Sequence, residues 1–81
     1  MNKKICVIGA GYWGRNHIKT LNRLNVLKGI VEVDDNILKT LLKKYPGVKG
    51  HLAIVEALLE DYDAFIIATP AKTHFEIAKI L

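Results

Sequence analysis

The sequence has one cysteine, two prolines and one tryptophan in 81 residues. A lone Cys6 cannot close an internal disulfide, so a disulfide-stapled secreted scaffold is excluded. Its place in the apolar run ICVIG reads as a buried strand position, and a reducing, cytoplasmic location is expected. No apolar run approaches the roughly 18 residues that a membrane helix needs. The opening Met-Asn-Lys-Lys faintly mimics a signal peptide, but Gly9, Gly11, Gly14 and Arg15 interrupt the apolar stretch too early. The net charge of +4 raises the question of nucleic acid. The lysines are scattered, however, and Lys43 and Lys44 fall late in an expected helix, where they suit its dipole. No basic stripe interleaved with aromatics is present, so no nucleic-acid partner is expected. The histidines His17, His51 and His74 have no metal-ligand spacing with Cys6, and no metal is expected. No Ser-His-Asp arrangement suggests itself either.

What is present is alternation. Eighty-one residues exclude two domains, and a domain of this size buries roughly 60–65% of its unfolded surface, leaving a thin margin of stability. Lys4 to Ile8 reads as a strand buried on both faces. Tyr12 to Leu24 reads as a helix with Gly14, Ile18, Leu21 and Asn25 on one stripe and Leu24 beside it. Lys28 to Val33 is a second strand. Asp34 or Asp35 then caps a helix with Ile37, Leu38, Leu41, Leu42 and Tyr45 inward, which Pro46-Gly47 stops. Val48 to Gly50 is a very short third strand. Leu52 to Glu60 carries Ile54, Val55, Leu58 and Leu59 at helical spacing, without a good cap, and His51 before it reads as an exposed loop residue. Asp63 to Ala68 is a fourth, fully apolar strand. Thr73 to Glu76 matches a capping box for a last helix. The order βαβα(β)αβα predicts an α/β fold: a Rossmann-like, doubly wound parallel sheet in strand order 3-2-1-4, incomplete at one edge.

The richest stretch is VIGAGYWGRNHIK, where Gly9, Gly11 and Gly14 stand between a strand and a helix. Glycines also mark ordinary corners, so a lone GxGxxG is weak. Three features strengthen it here: a buried strand precedes it, a helix follows, and acidic Glu32 ends the second strand about twenty residues on. In a dinucleotide fingerprint Gly9 permits the tight turn, Gly11 lets a pyrophosphate approach the backbone, and Gly14 allows close helix packing. Backbone N–H groups around Tyr12 and Trp13 then hold the phosphates. Their side chains either cover the cofactor or pack on a neighbouring domain. A carboxylate at Glu32 accepts from both hydroxyls of the adenine ribose and repels a 2′-phosphate. No arginine follows it in VDDN, which favours NAD over NADP. Asp34 and Asp35 read as helix caps. His17 reads as a packing residue. His74 either faces the cofactor cleft or makes a structural hydrogen bond.

With these segments in view, the chain resembles the Gfo/Idh/MocA family of oxidoreductases. The matching elements are VIGAGYWGRNHIKTL (7–21), IVEVDDNIL (30–38), KKYPGV (43–48) and DAFIIATPAKTHFEIA (63–78), and the ATPxxTH pattern is more specific than the glycines. The resemblance implies NAD(P)-dependent hydride transfer to or from a sugar, polyol or nucleotide-sugar. It implies that Gly9, Gly11 and Gly14 border the pyrophosphate with the Tyr12 and Trp13 backbone, and that Glu32 binds the ribose. Ala68, Thr69 and Pro70 would line the cleft, with His74 near its edge. Family members usually carry aspartate where Glu32 stands. The family's Glu-Lys-Pro motif and substrate domain have no counterpart in these residues, so no catalytic residue is expected among them. The chain is expected to be the leading part of a longer, homo-oligomeric dehydrogenase. A non-enzymatic dinucleotide-sensing module remains an alternative, as does the same fold binding coenzyme A.

Overall fold

The computed structural model describes residues 3–9 and 11–68. The elements run β1 (Ile5–Ile8), α1 (Tyr12–Arg23), β2 (Leu27–Val31), α2 (Asp35–Lys44), β3 (Lys49–His51), α3 (Ile54–Leu58) and β4 (Ala64–Ile67). All strand pairs are parallel, in the order β3-β2-β1-β4. The doubly wound sheet is thus the one the alternating pattern predicts. The expected helix from Thr73 lies outside the described residues.

β1 and the end of β2 are apolar on both faces because helices cover both. On one face Ile18 and Leu21 of α1 and Leu38 and Leu41 of α2 pack on Val7, Leu27 and Ile30. On the other, Ala57 of α3 packs with Cys6, Ile8 and Val31. Alternation along β1 sends Val7 to the first face and Cys6 and Ile8 to the second. In the pairing of β1 with β2 the register slips between Ile5 and Cys6, so that Lys28 is passed over. The slip places both Leu27 and Ile30 on the α1–α2 face.

α1 ends where expected, but Leu24 is 63% exposed and does not flank the buried stripe. It is the C-cap, and the next residue, Asn25, adopts φ 66°, which turns the chain out of the helix toward β2. The second strand also ends earlier than expected. Val33 is 82% exposed, because the chain leaves the sheet after Val31 to enter the α2 cap. Asp34 is that cap: its Oδ1 accepts from the N–H of Asn36 at 3.0 Å and of Ile37 at 3.1 Å.

Two further expectations are corrected. α3 is five residues long, not nine, and Val55, Leu58 and Leu59 are exposed. Its N-cap Ala53 offers no side-chain hydrogen bond, and a helix this short has only one turn to bury, which Ala57 and half-buried Ile54 fill. His51 is not an exposed loop residue. It closes β3 and is buried, its Nε2 2.8 Å from the Tyr62 hydroxyl. Tyr62 stands edge-on to both His51 and Phe65 and lies across Gly29 of β2. Burial pushes the Tyr62 phenol up to about 12.

Cys6 is fully buried on β1, and burial raises its thiol to about 12. A thiol held protonated and out of water is unreactive. Reaction with an aromatic disulfide reagent at pH 8 is therefore expected only after unfolding by denaturant. Prompt stoichiometric labelling of the native protein would contradict this packing.

Candidate dinucleotide site

The three glycines have different reasons to be glycine. Gly9 has φ 92°, a conformation that side chains with a Cβ rarely adopt, and its N–H donates to Val31 O at 2.8 Å. The turn out of β1 is thereby tied to the end of β2. Gly14, on the first turn of α1, lies against that turn. A Cβ there would run into the carbonyl carbon and oxygen of Gly9, and would touch Ala68 Cβ at 3.6 Å. Gly11 is the odd one. Its φ of −71° and ψ of −165° suit any residue, and a Cβ built on it meets nothing within 4 Å among the described residues. The described fold therefore gives no reason for glycine at position 11.

Gly11 is also the N-cap of α1, and it caps without a side chain. Its carbonyl accepts from Arg15 N–H at 2.9 Å, which starts the helical ladder. The first turn holds no acidic residue. The positive end of this 12-residue helix thus starts at Gly11 with no carboxylate from its first turn to neutralise it.

The other expected residues collect at the same sheet edge, the carboxyl ends of the strands. Ala68 directly follows β4, its N–H donating to Ile8 O at 2.9 Å. Glu32 directly follows β2. Its N–H donates to His51 O at 2.9 Å, and its Oε2 accepts from Asp34 N–H at 2.8 Å. The carboxylate is thus held by the turn that enters α2. Gly9, Gly11, Gly14, Ala68 and Glu32 are brought to one edge over the adjacent strands β2, β1 and β4. The expectations for Thr69, Pro70 and His74, and for the side chains of Tyr12 and Trp13, lie outside the described residues. Sequence reasoning missed the bond from the Asp34 backbone N–H to Glu32 Oε2, which any residue but proline could supply, so no residue type in the sequence signalled it.

A glycine turn leading from β1 into a helix, an acid at the end of neighbouring β2, and a parallel sheet whose strand order reverses between β1 and β4 define a dinucleotide-binding Rossmann domain. Residues 3–81 match the family model described as the oxidoreductase family, NAD-binding Rossmann fold (Gfo/Idh/MocA). The chain belongs to this family. A comparison with curated proteins gives no match. Among solved structures, the fold is similar to the WlbA dehydrogenase from Chromobacterium violaceum, crystallised in complex with NADH and UDP-GlcNAcA. The TM-score is 0.75 at 24% identity, over 86% of this chain and 21% of that one. The chain therefore spans about a fifth of the length of that dehydrogenase.

Proposed function

We propose that this chain forms the cofactor-binding part of an NAD-dependent dehydrogenase acting on a sugar, polyol or nucleotide-sugar. The observation that carries the reading is Gly11. The described fold does not require glycine there, whereas a pyrophosphate seated on the backbone does. The chain's own residues supply positioning. Backbone N–H groups of Tyr12, Trp13 and Gly14 at the start of α1 hold the diphosphate, and Gly9 and Gly14 fix the turn that aims them. Glu32 accepts from the hydroxyls of the adenine ribose, and its charge disfavours a 2′-phosphate, hence NAD over NADP. Ala68, followed by Thr69 and Pro70, lines the path toward the nicotinamide, with His74 at its edge. Bound nicotinamide supplies the hydride chemistry. Family membership supports dehydrogenase activity, and the nucleotide-sugar complex of the WlbA dehydrogenase supports the substrate class. The free, buried thiol of Cys6 fits a reducing compartment such as the cytoplasm.

The test is titration with NADH followed by nicotinamide fluorescence. Gly11→Ala is expected to weaken NADH at least tenfold while the melting midpoint stays within about 2 °C, because its methyl enters only the ligand's space. Glu32→Ala is expected to weaken NADH roughly tenfold, the loss of a charged hydrogen-bond acceptor. Unaltered NADH affinity in Gly11→Ala would remove the reading.

A further inference from the structure

β3 is three residues long, lies at one edge of the sheet and pairs with β2. Its last residue, His51, accepts the N–H of Glu32 at its carbonyl, at 2.9 Å. Glu32 stands just beyond Val31, the β2 partner of His51. The placing of the Glu32 backbone therefore depends on β3 staying in register, and an edge strand this short opens readily unless side chains hold it. Two do so, on the α3 face. Lys49 Nζ donates to Glu60 Oε1 at 2.7 Å, and His51 Nε2 lies 2.8 Å from the Tyr62 hydroxyl. Lys49 and His51 are two residues apart, as are Glu60 and Tyr62, so the bonds form successive rungs along the connection from α3 to β4.

The rungs are unequal. The Lys49 rung is solvated and holds weakly. The His51 rung is buried, with His51 only 5% exposed. The Tyr62 ring reaches it over Gly29 of β2, where any Cβ would meet the ring. The other end of the rung is anchored as well. Next to Tyr62, Asp63 N–H donates to Lys4 O at 2.7 Å, and Asp63 Oδ2 accepts from Lys4 N–H at 2.7 Å. Lys4 leads into β1, the strand that runs up to the glycine turn.

We infer that His51 and Tyr62 are positioning residues for the cofactor: their hydrogen bond ties the edge strand β3 to β1 across Gly29, and so fixes the β3 carbonyl that holds Glu32 in place for the adenine ribose. The inference rests on the cofactor reading proposed above. Neither side chain needs to touch the nucleotide. Both act through the His51 carbonyl and the Glu32 N–H, so their loss is felt only as far as Glu32 itself contributes.

The experiment is NADH titration by nicotinamide fluorescence of the wild type, Tyr62→Phe, His51→Leu, His51→Gln, Glu32→Ala and Glu32→Ala/Tyr62→Phe. Melting midpoints are measured alongside, and titrations are run well below the lowest of them. Tyr62→Phe and His51→Leu are each expected to weaken NADH about threefold, less than the roughly tenfold loss expected for Glu32→Ala. His51→Gln places an amide group near the lost Nε2 and is expected to keep affinity within about twofold of the wild type. In the Glu32→Ala background, Tyr62→Phe is expected to leave NADH affinity almost unchanged, because the side chain it positions is gone. A general loss of stability would weaken NADH equally in both backgrounds. Amide exchange by NMR without nucleotide reads the anchoring directly. In Tyr62→Phe it is expected to quicken more at Glu32 than at Gly9, whose N–H is bonded to Val31 O. Equal quickening at the two amides, equal NADH loss in the two backgrounds, or wild-type NADH affinity in Tyr62→Phe would each overturn the inference and leave the cofactor reading standing. Wild-type protein that does not bind NADH would overturn both.

Discussion

Gly14→Ala is expected to destabilise the protein by about 3 kcal/mol, at the upper end of what overpacking costs. For a domain of this size that corresponds to a fall of roughly 15 °C in melting midpoint. The added methyl would meet the carbonyl of Gly9, which is backbone and cannot rotate away. Gly9 itself cannot yield easily, because its φ of 92° and its hydrogen bond to Val31 O fix the turn. α1 would have to lift from the sheet, and Ile18, fully buried one turn later, would be uncovered with it. Thermal denaturation followed by circular dichroism measures the effect. A midpoint within about 3 °C of the wild type would mean that the helix does not approach the glycine turn this closely. The comparison with Gly11→Ala is the sharper part. Two glycines three residues apart receive the same methyl, and one substitution is expected to cost stability while the other costs only ligand.

The second large effect is expected at Gly29. A Cβ there would meet the hydroxyl end of the Tyr62 ring. That end belongs to a side chain and can move, but moving it breaks the 2.8 Å bond to His51 and leaves a buried imidazole nitrogen without its partner. Gly29→Ala is expected to cost about 2 kcal/mol, combining overpacking with the lost bond. Tyr62→Phe keeps the ring and loses only the hydroxyl, so about 1 kcal/mol is expected. In the double variant Gly29→Ala/Tyr62→Ala the alanine at 29 has room, and its own cost should largely disappear. A cycle in which the two effects simply add would refute the contact. The sign of the pH dependence follows from the phenol. Tyr62 sits at about 12 in the fold against 10.0 for the free group, so the stability linked to its proton is present below pH 10. It is lost as pH rises from 10 toward 12. Tyr62→Phe should lack that part of the decline and keep the part linked to the buried Cys6 thiol, which is likewise raised to about 12.

The surface ion pairs are minor by comparison. Lys49 Nζ donates to Glu60 Oε1 at 2.7 Å, and this hydrogen bond, with the nearby positive charges, holds the Glu60 carboxyl below its usual range. Both side chains are well solvated, and such pairs contribute little to stability.

Periodicity carried most of the fold. Val7, Ile8 and Ile66 lie in runs without a polar face, which only a sheet covered on both sides can use, and such a sheet is parallel and needs helical crossovers. The glycine turn and the acid after β2 were legible because the dinucleotide fingerprint sets particular residue types at set spacings, and the fold brings Gly9, Gly11, Gly14 and Glu32 to the same ends of adjacent strands. His51 was not legible. Whether a histidine beside a glycine is wet or dry depends on what crosses over it, and that is Tyr62, eleven residues later. The length of α3 was hidden for a similar reason: apolar residues at helical spacing do not reveal that the helix has one turn and no cap.

The amino-acid order by itself determined the succession of strands and helices, the parallel sheet and the position of the glycine turn, since each follows from local preference and from the period of apolar residues. Only the tertiary structure decided which glycine is packed against the glycine turn and which meets no described neighbour, and which backbone amide holds the Glu32 carboxylate. Those distinctions depend on atoms from separate segments meeting within a few ångströms, as Gly14 meets Gly9 and as Gly29 meets Tyr62.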